Sequence, residues 1–376
     1  MTANEPLTYY DELGCWVVAD RGLATEVLRR PDFSSRTLDA GNILPEDIEG
    51  QCGELLDVLR RWFVLLDSDE HISARRMVQP MFSPGRIRRL ADVIAAIVAE
   101  AIDDFARSRT PDAVTGLADV ISARTMAHLL GLPSRDAGQL HRWAGALSDF
   151  FAASYRTDFA VAAQQALRDM GEFIRGADDD GIWSQTSGSE VDRLATSSLM
   201  LFGGLETTAS LMAYSLWYLL DNGLSAEVVK EEGTAEELVE IALGLHPPLG
   251  HVARTAAADT TLGGCPIRGN DLVLVSLTGL DPLTAPPPAD PPAHDGIGGR
   301  PDHLAFGHGM HYCMGAPLAR LETATLLRQF AERFPHARVR DSGWGTNRTY
   351  RGLDRLVVDL DVEPNEAAAT TKGLVP

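Results

Sequence analysis

The residues with the clearest chemical potential lie at 304–315, where one cysteine follows a glycine-rich turn. Gly307 and Gly309 stand at alternate positions, and a tight turn of this kind favours residues without a Cβ. Cys313 follows them and precedes Ala316, where a run with the pattern of a helix starts. The N-terminus of a helix favours a thiolate, and a thiolate can bind haem iron and donate electron density to it. The alternative that the residues leave open is a buried structural cysteine beside a glycine-rich loop.

A second candidate site lies in the apolar stretch 191–220, which is long enough for a central buried helix. Gly203 and Gly204 each cost such a helix about 1 kcal/mol relative to alanine, so we expect a compensating role. Close approach of a ligand and local opening of the helix would provide one. Glu206 and Thr207 follow directly, and an acid beside an alcohol can pass protons through water. The alternative is a threonine-rich helix that packing tolerates.

The elements that must position these residues are mostly helical. Apolar residues recur at helical spacing in 86–105, 120–130, 136–151, 159–175 and 191–220. Short strands are predicted at 14–19, after Pro248 and near the C-terminal end, while 36–61 and 281–301 lack periodicity and read as loops. The pattern predicts one α+β domain, mainly α, over residues 1–362, with a disordered tail at 363–376.

Composition narrows the function classes. The chain has 376 residues and a net charge of −20, from 33 basic and 53 acidic residues. The negative electrostatic field around such a chain repels nucleic acid and anionic membranes. No stretch approaches the ~20 apolar residues that span a bilayer, and the N-terminus lacks a signal-peptide pattern. The four cysteines are widely dispersed, which favours a reducing, cytoplasmic environment without a disulfide framework.

The run that begins at Phe306, Phe-Gly-x-Gly-x-His-x-Cys-x-Gly, resembles the haem-binding loop of cytochromes P450. Glu206-Thr207 is similar to the acid–alcohol pair of that family, and the resemblance covers nearly the whole chain. It implies the cytochrome P450 fold, a helical bulk with small sheets, and haem b with Cys313 as the iron ligand. It also implies that Phe306 belongs to the cofactor-binding loop. The chain lacks an N-terminal apolar helix and so resembles the soluble, class I bacterial members.

The resemblance further assigns residues to the two haem propionates and to the substrate pocket. His71 and Arg75 match a His-x-x-x-Arg pattern and stand one helical turn apart. Arg254 and His311 match the remaining propionate partners. The expected wall of the substrate pocket consists of Leu199, Phe202, Leu205, Gly250 and Val252.

The implied partners are O₂, a small-molecule substrate, and a ferredoxin with its ferredoxin reductase supplying electrons from NAD(P)H. A carrier protein that presents the substrate is a further candidate. A basic cluster near the thiolate side would serve for ferredoxin docking, and its alternative is a solvated helix face. Its members are Arg75, Arg76, Arg86, Arg88 and Arg89.

Three departures from the family pattern concern the support of the cysteine loop. The usual Glu-x-x-Arg is Glu237-Leu-Val-Glu240, a leucine stands at 280 in place of an arginine, and a usual phenylalanine is missing from 291–295. A buried Glu237 without its arginine would need another donor, a proton or water. The expected function is monooxygenation, by hydroxylation or epoxidation, of a small apolar substrate in secondary metabolism. The alternatives are an inactive activator or scaffold, and a haem enzyme of another type that catalyses peroxide-driven oxidation, coupling or dehydration.

Overall fold

The structure is a computed structural model that describes residues 6–39, 46–133, 137–176, 181–224, 229, 231, 233–284 and 302–360. In these ranges, long helices form most of the molecule and short strands lie beside them. No helix in the described ranges has both the length and the apolar character of a membrane span.

The helices follow the predicted periodicity closely. They are α1 Arg21–Arg29, α2 Glu46–Gln51, α3 Gly53–Leu59, α4 Ser68–Val78, α5 Pro84–Ala106, α6 Asp119–Leu130, α7 Ala137–Ala152, α8 Thr157–Arg175, α9 Ile182–Gln185, α10 Glu190–Asp221, α11 Thr234–Leu245 and α12 Ala316–Arg333. Local sequence explains several of their ends. Ser189 and Asp192 form a reciprocal capping box at the start of α10. Gly131 ends α6 with a φ of 65°.

The strands form one mixed sheet and two small hairpins. They are β1 Leu7–Tyr10, β2 Cys15–Val18, β3 Phe33–Ser34, β4 His251–Ala256, β5 Thr260–Leu262, β6 Cys265–Ile267, β7 Leu272–Ser276, β8 Arg338–Trp344 and β9 Leu353–Asp359. The five-stranded sheet has the order β1-β2-β7-β4-β3, and β2 runs parallel to β7. β5 pairs with β6, and β8 pairs with β9.

Helix α10 passes through the middle of the main core. It packs against α6, α7, α8, α11 and α12, so apolar side chains occupy most of its circumference. A second core fills the space between α1 and the mixed sheet, and Leu304 belongs to it. Leu318 of α12 lies in the main core. The loop 305–315 therefore runs from one core to the other, which fixes both of its ends.

The mainly helical α+β fold is confirmed, and each of the five predicted helices is present with ends shifted by one or two residues. The prediction that 36–61 is a mobile loop is wrong over 46–59, where α2 and α3 form. Leu55, Leu56 and Leu59 are buried there because they share one face of α3. The predicted tail at 363–376 and the run 291–295 lie outside the described residues.

Candidate active site

The cysteine loop is held by short backbone contacts. The N–H of Gly307 donates to the carbonyl of Leu304 at 2.7 Å, and the N–H of Cys313 donates to the carbonyl of Phe306 at 3.0 Å. Gly307 and Gly309 have φ angles of 70° and 72°, which L-residues rarely adopt. A Cβ on Gly309 would also lie 2.6 Å from the carbonyl oxygen of Leu28, at the end of α1. Glycine is therefore required where the loop crosses α1.

Cys313 is an exposed residue, although dense protein surrounds its thiol. Burial raises the pKa of Cys313, while the N–H groups of Gly315 and Ala316 and the charge of Arg75 lower it without reversing the shift. The sequence expectation that the helix start favours the thiolate is right in direction, but these groups do not outweigh burial. A bound metal ion deprotonates a coordinating thiol. A sulfur that already receives two backbone N–H groups is suited to that role.

Of the four residues assigned to the propionates, His311 belongs to this loop, and His71, Arg75 and Arg254 lie near it. His71 and His311 have ring centroids 4.1 Å apart. The pKa of His311 is lowered to about 3, first by burial and then by the charges of Arg254, His71 and Arg75. His311 is therefore neutral in a strongly positive surrounding, as a site for anionic groups requires.

Two of the four residues contact the loop itself. Arg75 donates to the carbonyl oxygens of Met310 at 3.3 Å and of Tyr312 at 2.6 Å. His71 lies 3.3 Å from the same Met310 oxygen through Nε2, and its Nδ1 lies 2.7 Å from the carbonyl of Phe63. In this structure Arg75 and His71 therefore tie α4 to the cysteine loop.

The other two residues, Arg254 and His311, can each make a further hydrogen bond. Arg254 is buried, and the contact found for its guanidinium is with its own neighbour, the carbonyl of Ala253, at 2.8 Å. Burial lowers the pKa of Arg254 to about 10, although the charge of Asp67 opposes the shift. His311 Nδ1 is buried and has no partner in the part of the chain that the structure describes. These donors fit the carboxylates of a haem.

Across α10, the two glycines differ in their surroundings. Gly203 is exposed although most of the helix is buried, and a Cβ there would meet nothing within 4 Å. A Cβ on Gly204 would collide with Met126 of α6, whose Cγ and Cε would lie at 2.7 Å. Thr207 donates to the carbonyl of Gly203 at 3.0 Å. The helix is continuous here, so the expected local opening is absent, and open space borders Gly203 and Thr207 instead.

A cluster that the sequence did not reveal surrounds Glu206. His141 of α7 places Nδ1 3.7 Å from Glu206 and 3.6 Å from Asp119 of α6. Its Nε2 lies 3.1 Å from the carbonyl oxygen of Asp119, so this nitrogen carries a proton. Burial alone would lower the pKa of His141, but the two carboxylates outweigh it and raise it. Burial raises the pKa of Asp119 to about 6, with a further contribution from the charge of Glu206. The cluster can therefore hold protons at neutral pH.

The five residues expected to line the substrate pocket have different environments. Leu199, Phe202 and Leu205 are buried on α10, and the Phe202 ring lies 5.2 Å from that of Trp62 and 5.6 Å from that of Tyr350. Val252 is half-buried on β4. Gly250 is buried, and a Cβ there would collide with the carbonyl of Arg348. Its glycine is thus explained by packing against the chain at 348–351.

The altered Glu-x-x-Glu segment does not contain a buried, unpaired Glu237, because that residue is half-buried. Glu240, which replaces the arginine, is the better enclosed carboxylate and pairs with Arg320. Leu280 is 48% exposed, so it does not replace the missing arginine by packing in the core.

The fold is built around α10, and an exposed cysteine in a glycine-turn loop lies near two histidines and two arginines. No family model matches the chain. It is 30% identical over 366 residues to cytochrome P450 105A3 of Streptomyces carbophilus, covering 90% of this chain and 84% of the relative. It is 28% identical over 317 residues to the 6-deoxyerythronolide B hydroxylase of Saccharopolyspora erythraea, covering 78% and 77%.

Solved structures agree with the sequence relatives. The crystal structure of P450BioI in complex with hexadec-9Z-enoic acid ligated acyl carrier protein matches with a TM-score of 0.80 and 24% identity, over 95% of each chain. The chain belongs to the cytochrome P450 family. It is a cytochrome P450 monooxygenase, and its cofactor is haem.

Proposed function

We propose that the chain binds haem b through Cys313 and inserts one atom of O₂ into a C–H or C=C bond of a small apolar, natural-product-like substrate. The other oxygen atom leaves as water, with two protons and with two electrons that come from NAD(P)H through a ferredoxin reductase and a ferredoxin. The observation that carries the proposal is the exposed Cys313 in a loop that also carries His311, which lies near Arg254, His71 and Arg75.

The residues of the loop and of its neighbours hold and orient the cofactor. Bound haem supplies the iron at which O₂ is activated. Cys313 would bind that iron, and the N–H groups of Gly315 and Ala316 would stabilise the negative sulfur. Arg254 and His311 would bind the propionates directly, with His71 and Arg75 beside them. Phe306 would shield the sulfur from water.

Thr207 and Glu206 would deliver the two protons. The Thr207 hydroxyl borders the open space and donates to Gly203, so its oxygen is free to accept a hydrogen bond from water. Glu206 lies one residue before it and touches His141, which the carboxylate of Asp119 helps to keep protonated. Protons can therefore pass from the buried cluster on α6 and α7 toward Thr207.

The substrate would lie over Gly203, against the apolar side chains of Leu199, Phe202, Leu205 and Val252. By analogy with P450BioI, whose structure contains an acyl carrier protein, a carrier protein would present the substrate here. A pocket lined by apolar groups with few polar ones is the usual form of such a site.

The ferredoxin would dock on exposed arginines near the cysteine loop. Arg76, Arg88 and Arg89 are exposed. Arg86 donates to the carbonyl of Leu129 at 3.3 Å, and Arg75 is bound to the loop, so these two contribute less to the surface. A positive patch on a chain of net charge −20 would steer an acidic partner to this face.

The test compares two adjacent threonines. Thr207→Ala and Thr208→Ala are each assayed with NADPH, a ferredoxin and its reductase, and the hydrogen peroxide released per NADPH is measured. Thr208 is buried in the helix packing and is the matched control. We expect more peroxide from Thr207→Ala only, because reduced oxygen whose O–O bond is not cleaved by a second proton on its outer atom is released as hydrogen peroxide. Equal peroxide from both variants and the unaltered protein would contradict the assigned proton path.

A further inference from the structure

Glu240 of α11 contacts both α12 and the segment that leads into the cysteine loop. Its Oε1 accepts from Arg320 Nε at 2.6 Å, and its Oε2 accepts from Arg320 Nη2 at 3.1 Å. The same Oε2 lies 3.3 Å from His303 Nε2. The side chains of Glu240 and His303 are only 14% and 9% exposed, so water screens this contact poorly.

Both partners of Glu240 contact the loop that carries the cysteine. The guanidinium of Arg320 lies 4.5 Å from the centre of the Phe306 ring, and the pKa of Arg320 is raised first by Glu240 and further by the nearby Tyr312 side chain. His303 Nδ1 accepts from the N–H of Ala305 at 3.2 Å. The contacts therefore reach the loop both before the Gly307 turn and at the residue next to Cys313.

We propose that Glu240 is a positioning residue that holds the cysteine loop through Arg320 and His303, in place of the arginine of the usual Glu-x-x-Arg pattern. The polarity of the support is inverted, because the anion stands on α11, the cation Arg320 stands on α12, and the neutral donor His303 precedes the loop. The inference rests on the proposed function, in which Cys313 binds the haem iron.

The charge of Glu240 is permanent under working conditions. Burial alone would raise the pKa of Glu240, but the bonds from His303 and Arg320 outweigh it and hold the value at about 2. A two-point bond between a guanidinium and a carboxylate also fixes the orientation of Arg320 over the Phe306 ring. Removing the carboxylate would leave that guanidinium free to move, so the loop would lose the contact that Arg320 makes with Phe306.

The same two helices carry a matched control. Glu236 of α11 and Arg328 of α12 form an ion pair at 2.7 Å, but their side chains are 47% and 41% exposed. This pair joins α11 to α12 at a more exposed position than the pair of Glu240 and Arg320. Replacing it therefore tests whether loss of any helix-to-helix ion pair has the effect expected at Glu240.

The experiment measures the rate at which the purified, haem-loaded protein loses haem to excess apomyoglobin. Glu240→Gln and Arg320→Gln should each lose haem roughly 10- to 100-fold faster than the unaltered protein, the usual effect of removing an outer partner of a metal ligand. Their double variant should be little worse than either single one, because both remove the same contact. Arg328→Gln should behave like the unaltered protein. Hydrogen exchange over 302–312 should rise in the first three variants only.

The outcomes separate this proposal from the one on which it rests. If Glu240→Gln keeps its haem as long as Arg328→Gln does, Glu240 is not the support. If Glu240→Gln does not fold, Arg320→Lys, which keeps the charge but loses the two-point bond, should still show faster haem loss and faster exchange. If it shows neither, the proposal is overturned. An unaltered protein whose haem is not bound by thiolate would instead refute the proposed function.

Discussion

Gly203 and Gly204 of α10 face different surroundings, and exchanging each for alanine should therefore have opposite effects on stability. Alanine is favoured over glycine in a helix by about 1 kcal/mol. A Cβ on Gly203 would meet nothing within 4 Å, so Gly203→Ala should raise the free energy of unfolding by about that amount. On Gly204 it would meet Met126, which is only 2% exposed. Overpacking of this kind costs about 1–3 kcal/mol.

The net change expected for Gly204→Ala is therefore a loss of about 0–2 kcal/mol, and the two variants should differ by about 1–3 kcal/mol. Urea unfolding of the haem-loaded proteins, followed by far-ultraviolet circular dichroism, measures the difference if the slopes agree. The cost of Gly204→Ala should shrink in a Met126→Ala background, because the collision is then removed. Equal destabilisation by both single variants would refute the inference that open space borders Gly203.

Three further predictions concern charge and proton transfer. Burial raises the pKa of Glu322 well above its usual range, so its contribution to the free energy of unfolding should fall as pH rises from about 4 toward the raised value. Glu322→Gln should make that fall less steep in urea titrations and add about 1–3 kcal/mol at neutral pH. His141→Gln should slow proton-dependent turnover roughly tenfold or more, without changing the rate at which ferredoxin reduces the protein. The exposed His128→Gln should leave both rates unchanged in stopped-flow assays. Equal slowing by the two variants would contradict the relay. Joint Arg88→Glu and Arg89→Glu exchange should slow reduction by ferredoxin most at low salt, and a salt-independent effect would argue against docking there.

The parts of the site that could be predicted from sequence are those carried by short local patterns. The glycine turn lies within a few residues of Cys313, and Glu206 is adjacent to Thr207, so backbone geometry alone relates the residues within each of these two patterns. The helices were also predictable because apolar periodicity records burial. The same signal was present in α3, where Leu55, Leu56 and Leu59 share one face, but α3 is short and flanked by polar residues.

What could not be predicted depends on which helices pack together. Glu206 and His141 lie 65 positions apart, and they meet only because α7 packs on α10. Glu240 was visible as a departure from the family pattern, but its partner Arg320 is 80 positions away on α12. A changed residue in a motif indicates that a contact has changed, but it does not show which group makes the new contact. Packing of α11 against α12 supplies that answer.

The absorption spectrum of the purified protein, reduced and exposed to carbon monoxide, tests the central claim most directly when recorded beside Cys313→Ala. We expect a strongly red-shifted Soret band in the unaltered protein and its loss in the variant, since the shift reports a thiolate bound to haem iron. A folded protein that carries no haem, or a red-shifted band that survives in Cys313→Ala, would contradict the assignment of Cys313 as the iron ligand.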